Sequence, residues 1–279
     1  MNEMREQRKA IAQETLAILK QGFFTAPSGR RVDISAAIKK SEGGSYLLTP
    51  DDGKKLTAKI KPIGGNNRPS YVVNNASTVA AIFDESKNNT AVAALNFASA
   101  RSPGGGFLNG SMAQEEALAY SGGLYNTLIR HMGYYETNRE CKTMMYTNHA
   151  IYSPDVVFFR DAAFNLTERP ATCSILTLPA VNMGQVRAKG EDVELAKRSM
   201  KDRMRLALSI FAHEKNDTII LGAYGCGVFG NDPNDVARWW KDLLDGEGYG
   251  SFFQMVQFVI LDKPGGENMR AFERVFNDR

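Results

Sequence analysis

The sequence predicts an α/β protein in which a mixed, mostly parallel β-sheet lies between two layers of helices. Short apolar runs rich in Val, Ile and Phe alternate with longer amphipathic stretches, which is typical of parallel strands separated by helices. The chain has 279 residues, of which 43% are hydrophobic and 23% charged, a globular composition that suits one large domain or two smaller ones. No internal repeat or low-complexity segment interrupts the pattern.

The N-terminal segment is predicted to begin with a helix that ends near Gly22. Met4, Ile11 and Ile18 fall on one face of a helical repeat, with charged residues elsewhere. Residues 29–69 are rich in Gly, Lys and Asn, so we expect a small, loop-rich β segment there. The first 69 residues are therefore predicted to form an N-terminal helical and β extension that packs on a main domain spanning residues 70–279.

The main domain is predicted to alternate core strands with helices. Six short apolar runs are the predicted strands: Tyr71–Val73, Ala91–Phe97, Val156–Phe159, Cys173–Leu178, Thr218–Leu221 and Met255–Leu261. Five stretches between and after them are the predicted helices: Ser77–Lys87, Met112–Arg130, Glu191–Glu214, Asn234–Leu244 and Glu267–Phe276. This order predicts one three-layer α/β/α domain.

Charge and cysteine content argue against several classes of protein. Lys and Arg number 34 and Asp and Glu 31, giving a net charge of +3, which is too small for a protein that binds duplex DNA by neutralising phosphates. The first twenty residues are charged throughout, and no run approaches the length of about 18 apolar residues that a membrane span needs. Three cysteines without a CxxC pair indicate a reducing compartment. We expect a cytoplasmic monomer that has no metal and contacts no membrane.

The first informative loop follows the predicted strand Ala91–Phe97. It contains three successive glycines, Gly104, Gly105 and Gly106, and leads to a helix that opens with Gln114, Glu115 and Glu116. Glycines let a ligand approach the backbone closely, and N–H groups beside a helix N-terminus suit a phosphate or a ribose. A flexible surface turn, with two acids that merely interact with the helix dipole, is the alternative interpretation.

A second glycine-rich loop follows the predicted strand Thr218–Leu221. It contains Gly225, Cys226, Gly227, Val228 and Phe229, and Asp232-Pro233 after it is predicted to cap and begin a helix. Its formal match to G-x-G-x-x-G lies late in the chain, which argues against a dinucleotide-binding fold. Because both loops follow strands of one sheet, they are expected to hold a diphosphate with a sugar at each end.

The stretch from Asn96 to Tyr125 resembles the signature of microbial-type poly(ADP-ribose) glycohydrolases, a branch of the macrodomain superfamily. The resemblance continues through residues 152–161, 178–182 and 221–237 and covers essentially the whole chain. It implies a macrodomain fold that binds ADP-ribose at the strand ends. It also implies poly(ADP-ribose) or ADP-ribosylated macromolecules as substrates, ADP-ribose as the product, and no cofactor.

The resemblance also implies roles for individual residues. Glu116 matches the catalytic acid/base, Glu115 and Gln114 match residues that position the ribose, and Asn96 matches an asparagine at the end of its strand. Gly104, Gly105 and Gly106 match the ribose loop, whereas residues 225–229 match the diphosphate loop, with Phe229 against the substrate. Cys226 is expected to act through its backbone N–H, and Phe229 has a core role as its alternative. Tyr120 departs from the family pattern, in which many relatives have a basic residue.

The expected chemistry explains why an acid is needed at this site. Cleavage of a ribosyl–ribose bond passes through an oxocarbenium-like state, so the leaving oxygen must gain a proton, which a carboxylic acid with a raised pKa supplies. Neighbours such as Glu115 and Glu116 point about 100° apart on a helix, so one carboxylate is expected to perform both proton transfers. Two alternatives remain: a hydrolase of mono-ADP-ribosylated targets, and a non-catalytic ADP-ribose-binding macrodomain, which would need no carboxylate at the scissile bond.

Overall fold

The computed structural model describes residues 2–62, 68–88 and 91–277. Its strands are β1 (Phe23–Thr25), β2 (Arg31–Asp33), β3 (Tyr46–Leu48), β4 (Ser70–Asn74), β5 (Val92–Phe97), β6 (Ala150–Arg160), β7 (Leu166–Leu178), β8 (Thr218–Leu221) and β9 (Met255–Val259). A small hairpin pairs β1 with β2, and the other strands form one seven-stranded sheet in the order β3-β6-β7-β5-β8-β9-β4. The β3–β6 and β6–β7 pairs are antiparallel and the rest parallel, which confirms the predicted sheet.

Helices cover both faces of this sheet. They are α1 (Asn2–Gln21), α2 (Ser35–Gly44), α3 (Pro50–Lys59), α4 (Thr78–Glu85), α5 (Gln114–Ser121), α6 (Leu124–Leu128), α7 (Met132–Glu140), α8 (Met183–Ala188), α9 (Val193–His213), α10 (Pro233–Lys241) and α11 (Glu267–Phe276). Successive residues of β5 point to opposite faces. Ala93 and Leu95 pack in a cluster with α9, α10 and α11, and Val92 and Ala94 in one with α4, α6 and α7. The three-layer prediction is confirmed.

The six predicted core strands are present, but the N-terminal segment differs from its prediction. Residues 29–62 contain the short strands β2 and β3, as expected, but they also contain the helices α2 and α3, which the prediction of a loop-rich β segment did not include. Thr49 and Asp52 form a reciprocal capping box with Pro50 in the first turn, and this local signal begins α3. β3 is an edge strand of the main sheet. Residues 63–67 of the predicted segment lie outside the described residues, and the division at residue 69 stays a prediction.

The predicted helix over Met112–Arg130 is wrong as a single element. α5 ends at Ser121, and the backbone of Gly122 is extended and forms a bridge with Phe158 of β6. A Cβ atom at Gly122 would overlap the carbonyl oxygen of Val157. The close approach of β6 therefore interrupts the helix, and α6 begins after the interruption.

The predicted N-terminal helix is confirmed as α1, and it anchors α5. Thr15 donates its hydroxyl to the carbonyl of Tyr120 at 2.8 Å. Arg160 of β6 donates to Thr15 Oγ1 at 3.1 Å and pairs with Glu14 at 2.6 Å. α1 thus fixes the end of α5 against β6. In the part of the chain that the structure describes, no helix combines the length and apolarity that crossing a bilayer requires.

Gly122→Ala is expected to lower the free energy of unfolding by about 2–3 kcal/mol, because its methyl group would overlap the Val157 carbonyl. Gly123→Ala is the matched control, since a Cβ there meets its nearest atoms at 3.6 Å, an ordinary contact. Urea unfolding of both variants measures the difference. Equal stability of the two variants would contradict the steric explanation for the helix break.

Candidate active site

A cleft of about 630 Å³ lies at the carboxyl edge of the parallel strands. It is bordered by residues 98–113, which follow β5, and residues 222–232, which follow β8, because carboxyl ends of parallel strands share one edge. The predicted site residues that line it are Gly105, Gly106, Gln114, Glu115, Glu116, Gly225, Gly227, Val228 and Phe229. Asn96, Gly104 and Cys226 lie in the same strands and loops but are not part of the lining.

Glu115 is a buried acid in the first turn of α5, with 3% of its surface exposed. Its Oε2 accepts the N–H of Ser99 at 2.7 Å, and its Oε1 accepts from Asn96 Nδ2 at 3.2 Å. Asn96 Nδ2 also donates to Thr177 Oγ1 at 3.2 Å. Burial raises the pKa of the Glu115 carboxyl to about 8, although the hydrogen bonds from Ser99 and Asn96 oppose the shift.

Glu116 is directed to a different part of the same loop. Its Oε1 accepts the N–H of Gly106 at 2.7 Å, and 8% of the residue is exposed. Gly105 has a φ of +60°, and a Cβ atom there would overlap Glu116 Oε1 and lie 3.1 Å from Glu115 Oε2. Only glycine fits between the two carboxylates in this conformation. The two carboxylates therefore accept different N–H groups of the loop but converge on Gly105. The expectation that they do not form an opposed acid and nucleophile pair stays a prediction.

Gln114 anchors α5 to the sheet. Its Oε1 accepts the N–H of Phe97 at 2.8 Å, and its Nε2 donates to the carbonyl of Leu95 at 2.9 Å and to Thr78 Oγ1 at 3.2 Å. Both ends of the amide are therefore engaged with β5 and the start of α4. Gln114 holds the two acids in register with the strand, while its expected contact with a ribose stays a prediction.

The second loop is shaped by Gly225, whose φ is +74°. A Cβ atom there would lie 2.6 Å from Asn231 Nδ2 and 2.7 Å from Ala180 Cβ. Asn231 fixes this turn, since its Nδ2 donates to the carbonyls of Val181 at 2.8 Å and Gly225 at 3.0 Å. The predicted start of α10 is confirmed: Asp232 accepts the N–H of Asn234 at 2.8 Å, and Pro233 begins the helix.

Cys226 does not have the role expected from the sequence. Its N–H donates to the carbonyl of Ala223 at 3.1 Å and so is already engaged within the loop. Burial raises the pKa of its thiol, which argues against a thiolate nucleophile. Within the described residues, the N–H groups of Gly227 and Val228 have no hydrogen-bond partner, and both residues are exposed at the cleft. The N–H groups of Gly225 and Phe229 also have no partner among the described residues, and both residues line the cleft. The loop therefore has several backbone donors that an anion could accept, of which those of Gly227 and Val228 belong to its most exposed residues.

Phe229 lines the cleft and is half-buried. Its ring centroid lies 6.1 Å from that of Tyr146, and the ring packs against the main core cluster. Phe229 therefore has the core contacts that the sequence left open as its alternative, and it also borders the cleft. Its contact with the substrate stays a prediction.

Arg203 is a buried cation that the sequence analysis missed. Only 1% of it is exposed, and no ion pair to it is present among the described residues. It donates to the carbonyl of Pro179 and to Asn148 Oδ1, both at 2.9 Å, and to the carbonyl of Tyr146 at 3.4 Å. Pro179 precedes the cleft residue Ala180, so Arg203 supports the wall behind Phe229. Its place on the apolar face of α9 was the available signal.

Tyr120, the departure from the family pattern, is fully buried. Its hydroxyl donates towards the carbonyls of Ser111 at 2.8 Å and Phe107 at 3.1 Å. Burial raises the pKa of Tyr120 to about 12. The side chain therefore ties α5 to the glycine loop from behind instead of facing the cleft.

The described residues contain no group of three or more His, Cys, Asp or Glu side chains arranged to hold a metal ion. The expectation that the protein has no metal or cofactor stays a prediction.

Glu115→Gln is expected to flatten the pH dependence of the unfolding free energy. A carboxyl whose pKa is raised from 4.5 to about 8 on folding stabilises the fold fully below pH 4.5, and this stabilisation is lost as the pH rises through 8. Glutamine does not ionise, and Asn96 can turn its amide to present its oxygen to the new Nε2. Urea unfolding at several pH values across this window measures the slope, with the exposed Glu140→Gln as control. An unchanged slope in Glu115→Gln would contradict the raised pKa.

Comparisons with known proteins agree with this geometry. The sequence model of the microbial-type PARG catalytic domain matches residues 12–161. No match was found among curated protein sequences. The crystal structure of poly(ADP-ribose) glycohydrolase from Thermomonospora curvata is similar to this chain with a TM-score of 0.93 and 38% identity, over 97% of this chain and 100% of that one.

Two ligand-bound structures are also similar. The Thermomonospora curvata enzyme bound to the inhibitor ADP-HPD has a TM-score of 0.90 and 38% identity, over 96% of this chain and 99% of that one. Poly(ADP-ribose) glycohydrolase from Deinococcus radiodurans in complex with ADP-ribose has a TM-score of 0.80 and 38% identity, over 85% of this chain and 96% of that one. The family, fold and enzyme class expected from the resemblance are therefore confirmed. The chain belongs to the microbial-type poly(ADP-ribose) glycohydrolase family.

Proposed function

We propose that the protein hydrolyses the ribosyl–ribose O-glycosidic bonds of poly(ADP-ribose) and releases ADP-ribose, with Glu116 as general acid and base. The observation that carries this proposal is the buried Glu116 carboxylate, held at the cleft by the N–H of Gly106 at 2.7 Å. A binding module would need the two loops but no such acid. The inhibitor and ADP-ribose complexes of the two bacterial relatives support the choice of ligand.

The cleft suits a diphosphate flanked by two nucleoside-like ends. In this proposal, the diphosphate accepts the N–H groups of Gly227 and Val228, which have no partner among the described residues, and the terminal ribose binds at the loop of Gly105 beside the two acids. A second cleft of about 340 Å³ adjoins the first and shares Phe97, Gln114 and Gly227 with it. Its mostly apolar lining at the ends of β4 and β9 suits the adenine ring.

The proposed mechanism uses one carboxyl for both proton transfers. Glu116 donates its proton to the leaving oxygen as the glycosidic bond breaks, and the ribose passes through an oxocarbenium-like state. The resulting carboxylate then removes a proton from the attacking water. Glu115 is engaged by Ser99 and Asn96 and serves as a positioning residue. Neutral Glu115 places no negative charge beside the carboxylate that Glu116 becomes after it donates its proton, and the substrate diphosphate stabilises the cationic sugar.

A time course on length-defined poly(ADP-ribose) tests this function. We expect free ADP-ribose from the earliest times, released from the chain terminus, because the two loops hold one terminal unit at a time. A protein that carries a single ADP-ribose is assayed in parallel. Rapid loss of the single modification with intact polymer would favour the mono-ADP-ribosyl hydrolase instead. Early release of long oligomers would contradict cleavage from the chain terminus but would leave the proposed polymer hydrolysis standing.

The protein is also proposed to act as a monomer, since residues of a single chain line the whole cleft. Light scattering of the purified protein tests this proposal. The cytoplasmic location stays a prediction.

Glu116→Gln is expected to lower the rate of polymer hydrolysis by about 10²–10⁴-fold, because the amide neither donates nor accepts the catalytic proton. Its ADP-ribose affinity should stay within a few-fold of wild type, because the amide oxygen still accepts the Gly106 N–H. Chromatographic product assays and calorimetry measure the two effects, and Glu140→Gln is the control for charge removal. Retention of half the wild-type rate would exclude Glu116 as the acid.

Gly227→Val is expected to weaken ADP-ribose binding at least about tenfold, because the side chain would enter the space where the diphosphate meets the backbone. No heavy atom lies within 4 Å of a Cβ built at Gly227, so the fold should tolerate the change. Gly246→Val, at an equally open glycine, is the control. Calorimetry measures the ADP-ribose affinity of both variants. An unchanged affinity of Gly227→Val would show that this loop does not bind the diphosphate.

A further inference from the structure

Two arginines of α1 reach the loop that carries the catalytic centre. Arg5 Nε donates to the carbonyl of Asn109 at 2.7 Å, and Arg8 Nε donates to the carbonyl of Gly110 at 2.8 Å. They are three positions apart and share one face of the helix. Each uses its Nε for the loop, and within the described residues neither guanidinium has an ion-pair partner. Their remaining N–H groups stay available to an anion.

This loop connects the arginines directly to Glu116. The carbonyl of Gly106 accepts the N–H groups of Asn109 at 2.9 Å and Ser111 at 3.1 Å, while the N–H of Gly106 donates to Glu116. Asn109 itself lines the cleft. The turn of residues 106–111 therefore links the acid to the two arginine side chains.

The substrate has a second anion on that side of the scissile bond. In the proposed reaction, the oxygen protonated by Glu116 belongs to the adenosine ribose of the neighbouring unit. That ribose carries its own diphosphate, one sugar away from the scissile oxygen. With the terminal ribose at the loop of Gly105, the leaving unit begins at Glu116, next to the turn that Arg5 and Arg8 hold.

We propose that Arg5 and Arg8 form a subsite for the diphosphate of the leaving ADP-ribose unit. This inference rests on the proposed function and extends it to the part of the substrate that the main cleft does not hold. Guanidinium groups bind phosphate oxygens with two parallel hydrogen bonds. Held by their Nε bonds, the two side chains are already oriented, so fewer rotamers are lost on binding.

Apolar surface next to the arginines suits the adenine of the same unit. Met4 precedes Arg5 and is 61% exposed, and Leu108 precedes Asn109 and is 49% exposed. Met4 was expected on the buried face of the helix. A purine ring that packs against such exposed apolar side chains removes apolar surface from water.

The subsite is tested by comparing ligands of one and two units. In a Glu116→Gln background, which prevents turnover, the (ADP-ribose)₂ dimer is expected to bind about tenfold more tightly than ADP-ribose. Adding Arg5→Gln and Arg8→Gln should abolish this advantage and leave the ADP-ribose affinity within twofold. Added salt should reduce the advantage in the parent, because the contacts are exposed to solvent. Lys20→Gln with Lys39→Gln removes the same charge from exposed sites elsewhere and should leave the advantage intact.

The outcomes separate this subsite from the proposed function. A dimer advantage that survives the arginine substitutions would overturn the subsite, as would its absence in the parent. An equal loss of dimer and ADP-ribose affinity would also overturn it, because the arginines would then only hold the loop. Failure of the wild-type protein to hydrolyse polymer, with the dimer advantage present and dependent on the arginines, would contradict the proposed reaction alone.

Discussion

The insertion of one glycine loop between two buried carboxylates is the constraint on which the rest of the site depends. Gly105 has no room for a side chain, because Glu116 and Glu115 approach it from two directions. Both acids leave neighbouring positions of one helix turn, so the orientation of α5 sets both contacts at once. A small rotation of α5 would break the bonds to Ser99 and Gly106 together.

Several distant elements therefore serve to hold α5. Gln114 ties its first turn to β5, and Tyr120 ties its last turn to the glycine loop. Thr15 of α1 holds the carbonyl of Tyr120, and β6 interrupts the helix at Gly122. The N-terminal helix thereby becomes part of the catalytic framework, which explains how its arginines come to lie near the reacting end of the cleft.

Local pattern was sufficient for the sheet and for the two loops. The apolar runs at β5 and β8 were readable because parallel strands are buried on both faces, and glycines after them marked the site. Contacts between residues distant in the sequence could not be predicted from local pattern. The break at Gly122 depends on Val157, and the role of Arg203 depends on carbonyls at Pro179 and Tyr146. The engagement of the Cys226 N–H within its own loop likewise follows from a turn that composition does not specify.

The central claim is that Glu116, and not Glu115, faces the reacting carbon. A crystal structure of the protein with ADP-ribose tests this claim most directly. The distance to measure joins the hydroxyl on the anomeric carbon of the terminal ribose to the carboxyl of each glutamate. The arrangement of the two acids predicts a hydrogen bond of about 2.6–3.2 Å to Glu116, with Glu115 still bonded to Ser99 and Asn96. A ribose hydroxyl bonded to Glu115, with Glu116 remote, would contradict it.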